Sequence, residues 1–526
     1  MAAPDPIRGS AAVLAPTGVQ AAALDRDAIQ QGGVPGSALM EAAGRSAAEV
    51  LAKLHPEGDV VGVVGSGNNG GDALVLLRTL AAWGRSVKAV LVADRDRGRD
   101  ERELLHGWPV ERLSDRELGA TGWERIFSGA GVIVDGILGT GVRGAPRARQ
   151  ADAIRRVNAA PAPVLSIDLP SGSSAETGAT PGATVDADVT VAFGGPKLGT
   201  LLHPARARAG RIVAVEIGFP PWSGRGLARV LTPAWARRRL PLRSPDTHKN
   251  AVGRMVVVAG GPALAGAAVL VVRSAFRVGA GYVRICSHER NRAVLMKNLP
   301  EAVFVPWDDE AELSEALRGS DAVALGPGLG LDEGARRVME LTLKALPPEV
   351  PAVVDADALN LVAAGRVDPS PLAGRAVLTP HAGEAARLLG WTKERILADR
   401  PAALRELVDR FSAAVLLKGA PSLVLEPGEA MLVDSRDSSA LAVAGMGDAL
   451  AGVVAALTPG SASSAEAAAL GLHLTARAAA HSAKGIGVIP SDVVEYLPAA
   501  LRETASAPPP PLFPFANFDV PAVPCV

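Results

Sequence analysis

Short apolar runs recur along the first half of the chain, each followed by a turn rich in glycine or aspartate and by a longer segment of helical composition. Because such runs are typical of strands buried on both faces, the alternation predicts a parallel sheet covered by helices. The same rhythm begins again near residue 255 and predicts a second α/β domain. The predicted strands lie at 60–64, 87–92, 132–135, 164–168, 189–193 and 211–217, and then at 255–259, 323–325, 352–355, 377–379 and 415–418.

A proline-rich segment separates the two halves. Residues 218–246 combine repeated prolines with three consecutive arginines, a composition expected at a domain boundary, which we place near Leu231. The prolines after residue 507 predict an extended tail, either a surface strap or disorder. The predicted organisation is an N-terminal tail at 1–12, a first domain at 13–222, a linker at 223–240, a second domain at 241–506 and a proline-rich tail at 507–526.

Composition narrows the class of function. Lys and Arg number 54 and Asp and Glu 55, so the net charge of −1 gives no bulk attraction to nucleic acid or to an anionic membrane. The apolar stretch 263–281 contains Arg273 and Arg277 and is therefore predicted to be a buried helix, not a membrane span. Two cysteines and the absence of a secretion signal favour a cytoplasmic protein. We expect small-molecule substrates, no nucleic-acid or membrane partner, and a homo-oligomer.

The most informative segment of the first domain is the Asn-Asn-Gly-Gly-Asp sequence at 68–72, which follows the strand at 60–64 and a Gly-Ser-Gly turn. Amide groups at a helix start, together with glycines that permit close approach, predict a phosphate or dinucleotide site. The asparagines and the aspartate add oxygen atoms suited to a cation or a polar ring. An ordinary capped turn is the alternative, because these are the commonest turn residues.

Two further loops should meet this segment at the carboxyl edge of the sheet, where open α/β folds bind ligands. One is 135–141, which continues into a second glycine loop at 139–145. That loop can contact the same ligand and adds the positive charge of Arg143. The other is 168–172.

Oxygen atoms on these three loops suit a cation. Asn69, Asp135 and Ser171 offer hard ligands with one formal charge among them, which fits a singly charged ion better than zinc. For an isolated aspartate at a strand end, a helix cap or a turn is the alternative.

The order of these segments carries a family resemblance. The chain resembles the N-terminal domain of the NAD(P)H-hydrate epimerase family over about residues 13–220. The segments that carry the resemblance are 39–44 (Leu-Met-Glu-Ala-Ala-Gly), 68–72, 135–141, 166–172 and 187–193.

The resemblance implies a Rossmann-like three-layer sandwich that binds hydrated NADH or NADPH, with potassium held by Asn69, Asp135 and Ser171. Asp168 would contact the substrate, and we interpret it as the catalytic residue that transfers a proton during epimerisation at C6 of the reduced ring. The implied substrate-binding residues are Asn68, Asn69, Gly70, Gly71, Asp72, Gly139, Thr140, Gly141, Val142, Arg143, Gly144, Ala145 and Asp168.

In the second domain, residues 444–452 form a glycine turn into an apolar helix, with Asp448 in its first turn. In ribokinase-like folds this arrangement places a carboxylate near the acceptor hydroxyl and helix amides near the phosphate. Taken alone, this short pattern could instead be an ordinary helix cap. His381 could likewise be a structural histidine, and Lys418 could simply be a solvated surface charge. Strand-end loops on the same edge favour a site, and they are 326–330, 355–359, 379–384 and 418–420.

With 248–249, 260–261, 266–268 and 299–301, these loops resemble the ADP- or ATP-dependent NAD(P)H-hydrate dehydratase family over about residues 240–500. The resemblance implies a ribokinase-like three-layer α/β domain. In it, Asp448 would be catalytic and accept the proton of the ring hydroxyl as this attacks the nucleotide's terminal phosphate, with Mg²⁺ and the turn amides balancing charge. The implied contacts are Ala267, Gly328, His381 and Asp448 for the hydrated cofactor, and Lys418, Gly419, Ala420, Pro421, Ser422 and Gly447 for the nucleotide.

Four positions depart from the family patterns. Ala42 and Ala73 replace an asparagine and a glycine in the first domain, and neither change removes a proposed ligand. Asn250 stands where glycine commonly follows the His-Lys pair, and Met446 stands where a small Ser or Thr is usual. Bulk at Met446 is expected to matter most, because it lies beside the predicted anion site.

We therefore expect a bifunctional nicotinamide-nucleotide repair enzyme. It would epimerise the R and S forms of hydrated NADH and NADPH and dehydrate the S form, using ADP or ATP as co-substrate with K⁺ and Mg²⁺ as cofactors. The resemblance to two-domain bacterial proteins favours ADP. The alternatives are a ribokinase-like small-molecule kinase with an accessory nucleotide-binding domain, and a scaffold whose N-terminal domain only binds.

Overall fold

The structure is a computed structural model that describes residues 12–92, 104–141, 143–220, 226–241, 253–262, 264–436, 439–506 and 515–516. Most of the predicted N-terminal tail, Val142, the segment 248–250 and most of the proline-rich tail lie outside these residues. The chain divides into two compact units between Val230 and Leu231, and residues 515–516 belong to the first unit.

The first unit contains a mostly parallel sheet. The strands of this unit, with β9 at the division and β19 near the C-terminus, are β1 (Ala12–Ala15), β2 (Asp59–Val64), β3 (Val87–Leu91), β4 (Glu111–Ser114), β5 (Ala130–Gly136), β6 (Val164–Ile167), β7 (Val189–Phe193), β8 (Arg211–Val215), β9 (Ala228–Leu231) and β19 (Phe515–Ala516). All of them except β1 and β9 belong to this sheet. Its α-helices are α1 (Gly18–Gln30), α2 (Gly36–Leu54), α3 (Asn68–Ala82), α4 (Gly119–Ser128) and α5 (Ala148–Ala159).

The strand order of this sheet is β19-β8-β7-β6-β5-β2-β3-β4. Neighbours from β8 to β4 are parallel, and β19 pairs antiparallel with β8. The chain runs outward from β2 to β4 on one side and from β5 to β8 on the other. The order therefore reverses between β2 and β5, and this switch point is where such sheets bind ligands.

Helices cover both faces of the first sheet. Val60 and Val64 of β2 pack into a core shared with α2 and α3, whereas Val61 and Val63 pack into a core shared with α4 and α5. This alternation follows from the two-residue period of a strand. It produces the three-layer, Rossmann-like sandwich that the sequence predicts.

The second unit repeats this design with a different sheet. Its strands are β10 (Arg254–Val258), β11 (Tyr282–Ser287), β12 (Val303–Pro306), β13 (Ala322–Leu325), β14 (Ala352–Val354), β15 (Ala376–Leu378), β16 (Ala414–Leu417), β17 (Ser422–Leu425) and β18 (Leu432–Asp434). Its α-helices are α6 (Pro233–Arg237), α7 (Ala265–Arg277), α8 (Arg292–Asn298), α9 (Glu310–Arg318), α10 (Glu333–Ala345), α11 (Asp357–Ala363), α12 (Ala382–Leu389), α13 (Lys393–Ala398), α14 (Arg400–Phe411), α15 (Met446–Leu457), α16 (Ser464–Ser482) and α17 (Pro490–Ala505).

The strand order within this unit is β18-β17-β16-β15-β14-β13-β10-β11-β12. The seven strands β10 to β16 are parallel to their neighbours, and β17 and β18 extend the sheet with antiparallel pairing. The order reverses between β10 and β13, which sets a second switch point. The α/β fold predicted for this half is confirmed.

Two helices clarify the sequence-based predictions. Helix α7 occupies the predicted buried stretch, with Arg273 and Arg277 on its exposed side. Helix α6 lies inside the predicted linker. A helix forms there because Thr232 caps its start and Pro233 suits the first helical position. Among the residues that the structure describes, no helix combines the length and apolarity needed to cross a bilayer.

Candidate functional sites

In the first unit, the predicted segment 68–72 forms the start of α3, which follows β2 after residues 65–67. Gly67 precedes the helix and supplies no side-chain cap. The first amide groups of a helix lack intrahelical partners and attract anions. The turn lies at the switch point between β2 and β5, so the fold presents it where a ligand would bind.

A cavity of about 730 Å³ opens at this switch point, within the size range of small-molecule sites. Both glycine loops contribute to it, as the sequence predicts. Gly70, Gly71 and Gly144 were also predicted to bind substrate but do not line the cavity; the first two are buried. The predicted residues that line it are Asn68, Asn69, Asp72, Gly139, Thr140, Gly141, Arg143, Ala145 and Asp168.

Asp168 is fixed in the cavity wall by a buried ion pair. The ammonium of Lys197 donates to Asp168 Oδ1 and to the carbonyl oxygens of Phe193 at 3.2 Å and Gly195 at 3.3 Å. The Phe193 amide also donates to Asp168 Oδ1, at 3.2 Å. Asp168 has a φ of 67°, a left-handed conformation that a non-glycine residue keeps only where its surroundings enforce it. The carboxylate is thus held in one position.

Two more carboxyl groups, of Asp72 on α3 and Asp25 on α1, line the same cavity. Burial and the charges of Asp168 and Asp25 raise the pKa of Asp72 well above its usual range, and Lys197 only partly opposes this. Asp25 is exposed to solvent, but desolvation by the surrounding protein still raises its pKa; the charge of Lys197 opposes this shift and that of Asp168 adds to it. Within the described ranges, neither carboxyl group has a hydrogen-bond or ion-pair partner.

Asp135 is fully buried at the end of β5. Its carboxylate accepts hydrogen bonds from Ser171 Oγ at 2.6 Å, Ser171 N at 2.9 Å, Ser166 Oγ at 2.8 Å and Ile137 N at 3.2 Å. Burial raises the pKa of Asp135, and these hydrogen bonds offset only part of that effect. All of these partners are neutral, so the negative charge has no compensating cation among them.

Asn69 joins this network through the backbone of Leu138. Its Nδ2 donates to Leu138 O at 2.9 Å, and Ser171 Oγ contacts the same oxygen at 3.1 Å. The Leu138 amide in turn donates to Ser171 Oγ at 2.8 Å. The structure therefore brings Asn69, Asp135 and Ser171 together beside the cavity.

In the second unit, Asp448 lies in the first turn of α15, after Gly445 with a left-handed φ of 89°. Burial and the charge of Asp355 raise the pKa of Asp448 to about 6, and Lys418 opposes the shift. Lys418 Nζ donates to Asp355 Oδ1 at 2.7 Å. A Cβ atom on Gly447 would lie 3.2 Å from Lys418 Nζ and 3.5 Å from Asp355 Oδ2. Glycine at 447 thus lets the helix start approach the ion pair.

His381 has a structural role at this edge. It caps α12, and its Nδ1 accepts hydrogen bonds from Gly383 N at 2.9 Å and Glu384 N at 3.2 Å. The ring is about half exposed, and its Nε2 lies 3.6 Å from Glu384 Oε1. Burial lowers the pKa of the neighbouring Lys418, but the carboxylates of Asp355 and Glu384 outweigh this and raise it.

The loop after β13 connects the remaining predicted residues. A Cβ atom on Gly328 would lie 2.9 Å from Ala267 Cβ, so the start of α7 packs against this loop. The Gly330 amide donates to Asp357 Oδ2 at 2.8 Å. The charge of Asp357 also raises the pKa of Asp448, so this loop influences the ionisation of the carboxyl group beside Lys418.

The predicted nucleotide loop, residues 418–422, joins β16 to β17. Gly419 N donates to Ser422 Oγ at 3.3 Å and closes the turn. Beneath the loop lies the buried guanidinium of Arg400, whose pKa burial lowers to about 10. In the described part of the chain no carboxylate pairs with it. Its acceptors are the carbonyl oxygens of Leu417 at 3.2 Å, Lys418 at 3.4 Å and Pro421 at 2.5 Å.

Sequence reasoning missed three of these residues. Lys197 follows a Gly-Gly-Pro turn at the end of β7, on the ligand edge, so its position offered a signal. Asp25 and Arg400 lie within helices, where no local pattern distinguishes them from surface charges. Their contacts depend on tertiary packing.

The departures from the family patterns fall mainly in packed positions. Ala73 is fully buried, and Ala42 packs against the core of the first unit. Met446 is 7% exposed, so its side chain lies mostly within the second unit.

Known proteins match both units. Residues 36–199 match the family described as YjeF-related protein N-terminus, and residues 255–499 match the family described as NAD(P)H-hydrate dehydratase. A bifunctional NAD(P)H-hydrate repair enzyme of Moorella thermoacetica is 34% identical over 92% of this chain and 96% of its own. The counterpart of Escherichia coli K12 is 34% identical over 80% of each chain. A solved ribokinase-like superfamily protein from Enterococcus faecalis aligns with a TM-score of 0.50 at 24% identity, over 53% of this chain and 96% of its own, and this likeness concerns the fold.

The first site lies at a switch point, and both sites combine glycine loops with helix starts, an arrangement typical of nucleotide-binding α/β enzymes. The chain belongs to the family of bifunctional NAD(P)H-hydrate repair enzymes. This membership confirms the predicted pairing of an epimerase domain with a dehydratase domain. It disfavours the small-molecule kinase and the scaffold.

Proposed function

We propose that the first unit interconverts the R and S forms of hydrated NADH and NADPH at C6, and that the second unit dehydrates the S form with ADP or ATP. One observation carries the first assignment: both glycine loops and the Asp168–Lys197 pair line one cavity. The second assignment rests on Asp448 in a helix start that approaches Lys418.

The first cavity offers complementary groups for a dinucleotide. The amides at the start of α3 and the guanidinium of Arg143 suit phosphate groups. Asp168, fixed by Lys197, suits the reacting ring. Its carboxylate would take up and return a proton as the C6–O bond breaks and forms again.

Potassium fits the network of Asn69, Asp135 and Ser171. Asp135 is a fully buried carboxylate whose hydrogen-bond donors are neutral hydroxyl and amide groups, and a monovalent cation would supply the missing positive charge. When bound there, it would also hold the Leu138 backbone beside the cavity.

In the second unit, the 418–422 loop and Lys418 would hold the nucleotide. Asp448 would accept the proton of the ring hydroxyl as that oxygen attacks the terminal phosphate. A pKa of about 6 leaves this carboxylate mostly ionised at neutral pH and still close to the ideal for a general base. The phosphate then leaves, the ring nitrogen's lone pair drives its expulsion, and proton loss from the adjacent carbon restores the reduced ring.

Magnesium suits this step as a partner of the nucleotide. In the described ranges there is no cluster of three or more His, Cys, Asp or Glu residues that would hold a metal by itself. Mg²⁺ commonly uses one or two carboxylates together with substrate phosphates. We infer that it is held mainly by the phosphates and supplies charge neutralisation there.

Hydrated NADH, as a mixture of epimers, tests the proposal directly. With ADP, absorbance by NADH should recover, and without a nucleotide it should not. ATP in place of ADP identifies the preferred co-substrate. A stable phosphorylated product without any NADH would instead indicate a small-molecule kinase.

A further inference from the structure

The cavity of the first unit contains more ionisable groups than proton transfer by Asp168 requires. They come from α1, α3, the second glycine loop and the segment after β7. The charged residues that line it are Asp25, Asp72, Arg143, Arg147, Asp168 and Lys197.

Epimerisation places a chemical demand on this set. The hydroxyl must leave C6 from one face of the ring and water must add from the other, so proton transfer is needed on both faces. The Asp168 carboxylate is fixed by Lys197 and by the Phe193 amide, and a fixed group serves one face. Another group must serve the second face.

The cations are unsuited to this task. Lys197 directs its ammonium at three acceptors, Asp168 Oδ1 and the carbonyl oxygens of Phe193 and Gly195. A guanidinium keeps its protons in proteins. Asp25 and Asp72 are the remaining groups.

Exposure distinguishes these two carboxyl groups. Asp72 lies in the second turn of α3 and is only partly exposed, and burial raises its pKa well above the usual range, so it keeps its proton more readily. Asp25 projects from α1 and is exposed at the cavity. It can therefore exchange its proton with solvent after each turnover. It also precedes the matched family segment, which begins at residue 36.

We propose that Asp25 is a second proton-transferring residue of the epimerase site and serves the ring face that Asp168 does not. This inference rests on the proposed epimerase function of the first unit. The two carboxyl groups exchange roles when the reaction runs in the opposite direction.

The chemical step balances without a redox partner. Asp25 in its acid form donates a proton to the C6 hydroxyl, the C6–O bond breaks, and water leaves while the ring nitrogen's lone pair forms an N1=C6 double bond. Solvent water then bonds to C6 from the other face, and the π electron pair of the N1=C6 double bond returns to N1. The surplus proton of the added water passes to the Asp168 carboxylate, and exchange with solvent resets both groups.

Asp25→Asn in the full-length protein tests the proposal. Starting from one purified epimer without any nucleotide, the other epimer is followed by chromatography. We expect kcat for epimer exchange to fall about 100-fold or more, the usual range for loss of a general acid or base. KM should change far less, and Asp25→Glu should restore part of the rate.

Asp27→Asn is the matched control on the same helix. Asp27 accepts a hydrogen bond from Gln31 Nε2 at 3.2 Å and does not line the cavity, so its variant should retain the wild-type rate. A wild-type Tm for the first unit of the Asp25 variant, measured by calorimetry, verifies that the unit carrying the substitution is folded.

Three outcomes decide between the ideas. A wild-type kcat in Asp25→Asn overturns the role of Asp25. Loss of exchange in Asp72→Asn but not in Asp25→Asn assigns the second transfer to Asp72 and also overturns it. Absence of exchange in the wild type would refute the epimerase function itself.

Discussion

Lys197→Met tests whether the buried ion pair holds the first site together. The side chains of Lys197 and Asp168 are 3% and 12% exposed. Methionine has a similar length but no charge. The variant therefore leaves the Asp168 carboxylate without a cation and the carbonyl oxygens of Phe193 and Gly195 without this donor.

The expected loss is large. Removing one partner of a buried ion pair costs about 3–5 kcal/mol, because the remaining charge stays buried. In a unit of this size 1 kcal/mol corresponds to about 2–4 °C of Tm, so the first unit should unfold at a temperature about 6–20 °C lower.

Lys88→Met is the matched control for the same substitution at the surface. Lys88 Nζ lies 3.4 Å from Glu111 Oε2, and the two side chains are 33% and 54% exposed. Exposed pairs of this kind contribute roughly 0–1 kcal/mol. Its Tm should therefore change by only a few degrees.

Differential scanning calorimetry of the full-length variants measures both effects. Adding Asp168→Asn to Lys197→Met should recover much of the lost stability, since the uncompensated charge is removed as well. Equal losses in the Lys197 and Lys88 variants, or no recovery in the double variant, would show that the buried ion pair does not stabilise the first unit.

Three further predictions concern the second unit and the cation. The kcat/KM of dehydration should rise with pH through about 6, because Asp448 must lose its proton to act as a base and burial raises its pKa in the free protein to about 6. Arg400→Met leaves three carbonyl oxygens without their donor, so the free energy of unfolding should fall by about 1–3 kcal/mol and the nucleotide KM should rise. Arg405 is exposed, so the control variant Arg405→Met should change neither quantity. K⁺ should raise the Tm of the wild type more than Na⁺ does, but not that of Asp135→Asn.

Each of these has a clear contrary result. A dehydration rate that is flat from about pH 5 to pH 7 would exclude Asp448 as the titrating base. Equal nucleotide KM values for Arg400→Met and Arg405→Met would show that the buried guanidinium does not shape the loop. An unchanged response to K⁺ in Asp135→Asn would place the cation elsewhere.

Most parallel strands of both units were predictable because they are continuous apolar runs. The strand predicted at 189–193 agrees with β7, and others differ by a residue or two at their ends. Runs buried on both faces give a strong local signal. The antiparallel strands β17 and β18 were missed, although a Pro-Gly turn at 427–428 separates them.

Some site residues could be predicted from local sequence patterns, whereas others depend on tertiary packing. Asn69, Asp135 and Ser171 follow or end strands, so the rule that ligands bind at the carboxyl edge predicted their proximity. Asp25 reaches the first cavity from helix α1, and Arg400, on helix α14, lies beneath the loop at 418–422. Such contacts depend on how helices pack on the sheet, which local patterns do not encode.

We propose that epimer exchange and dehydration occur at separate sites. Its most direct test is the amount of NADH recovered from a mixture of hydrated epimers with ADP. The wild type should recover all of it, Asp168→Asn only the share present as the S form, and Asp448→Asn none while still exchanging epimers. Complete recovery by Asp168→Asn at the wild-type rate, or loss of both activities in either folded variant, would show that the two reactions do not occur at separate sites.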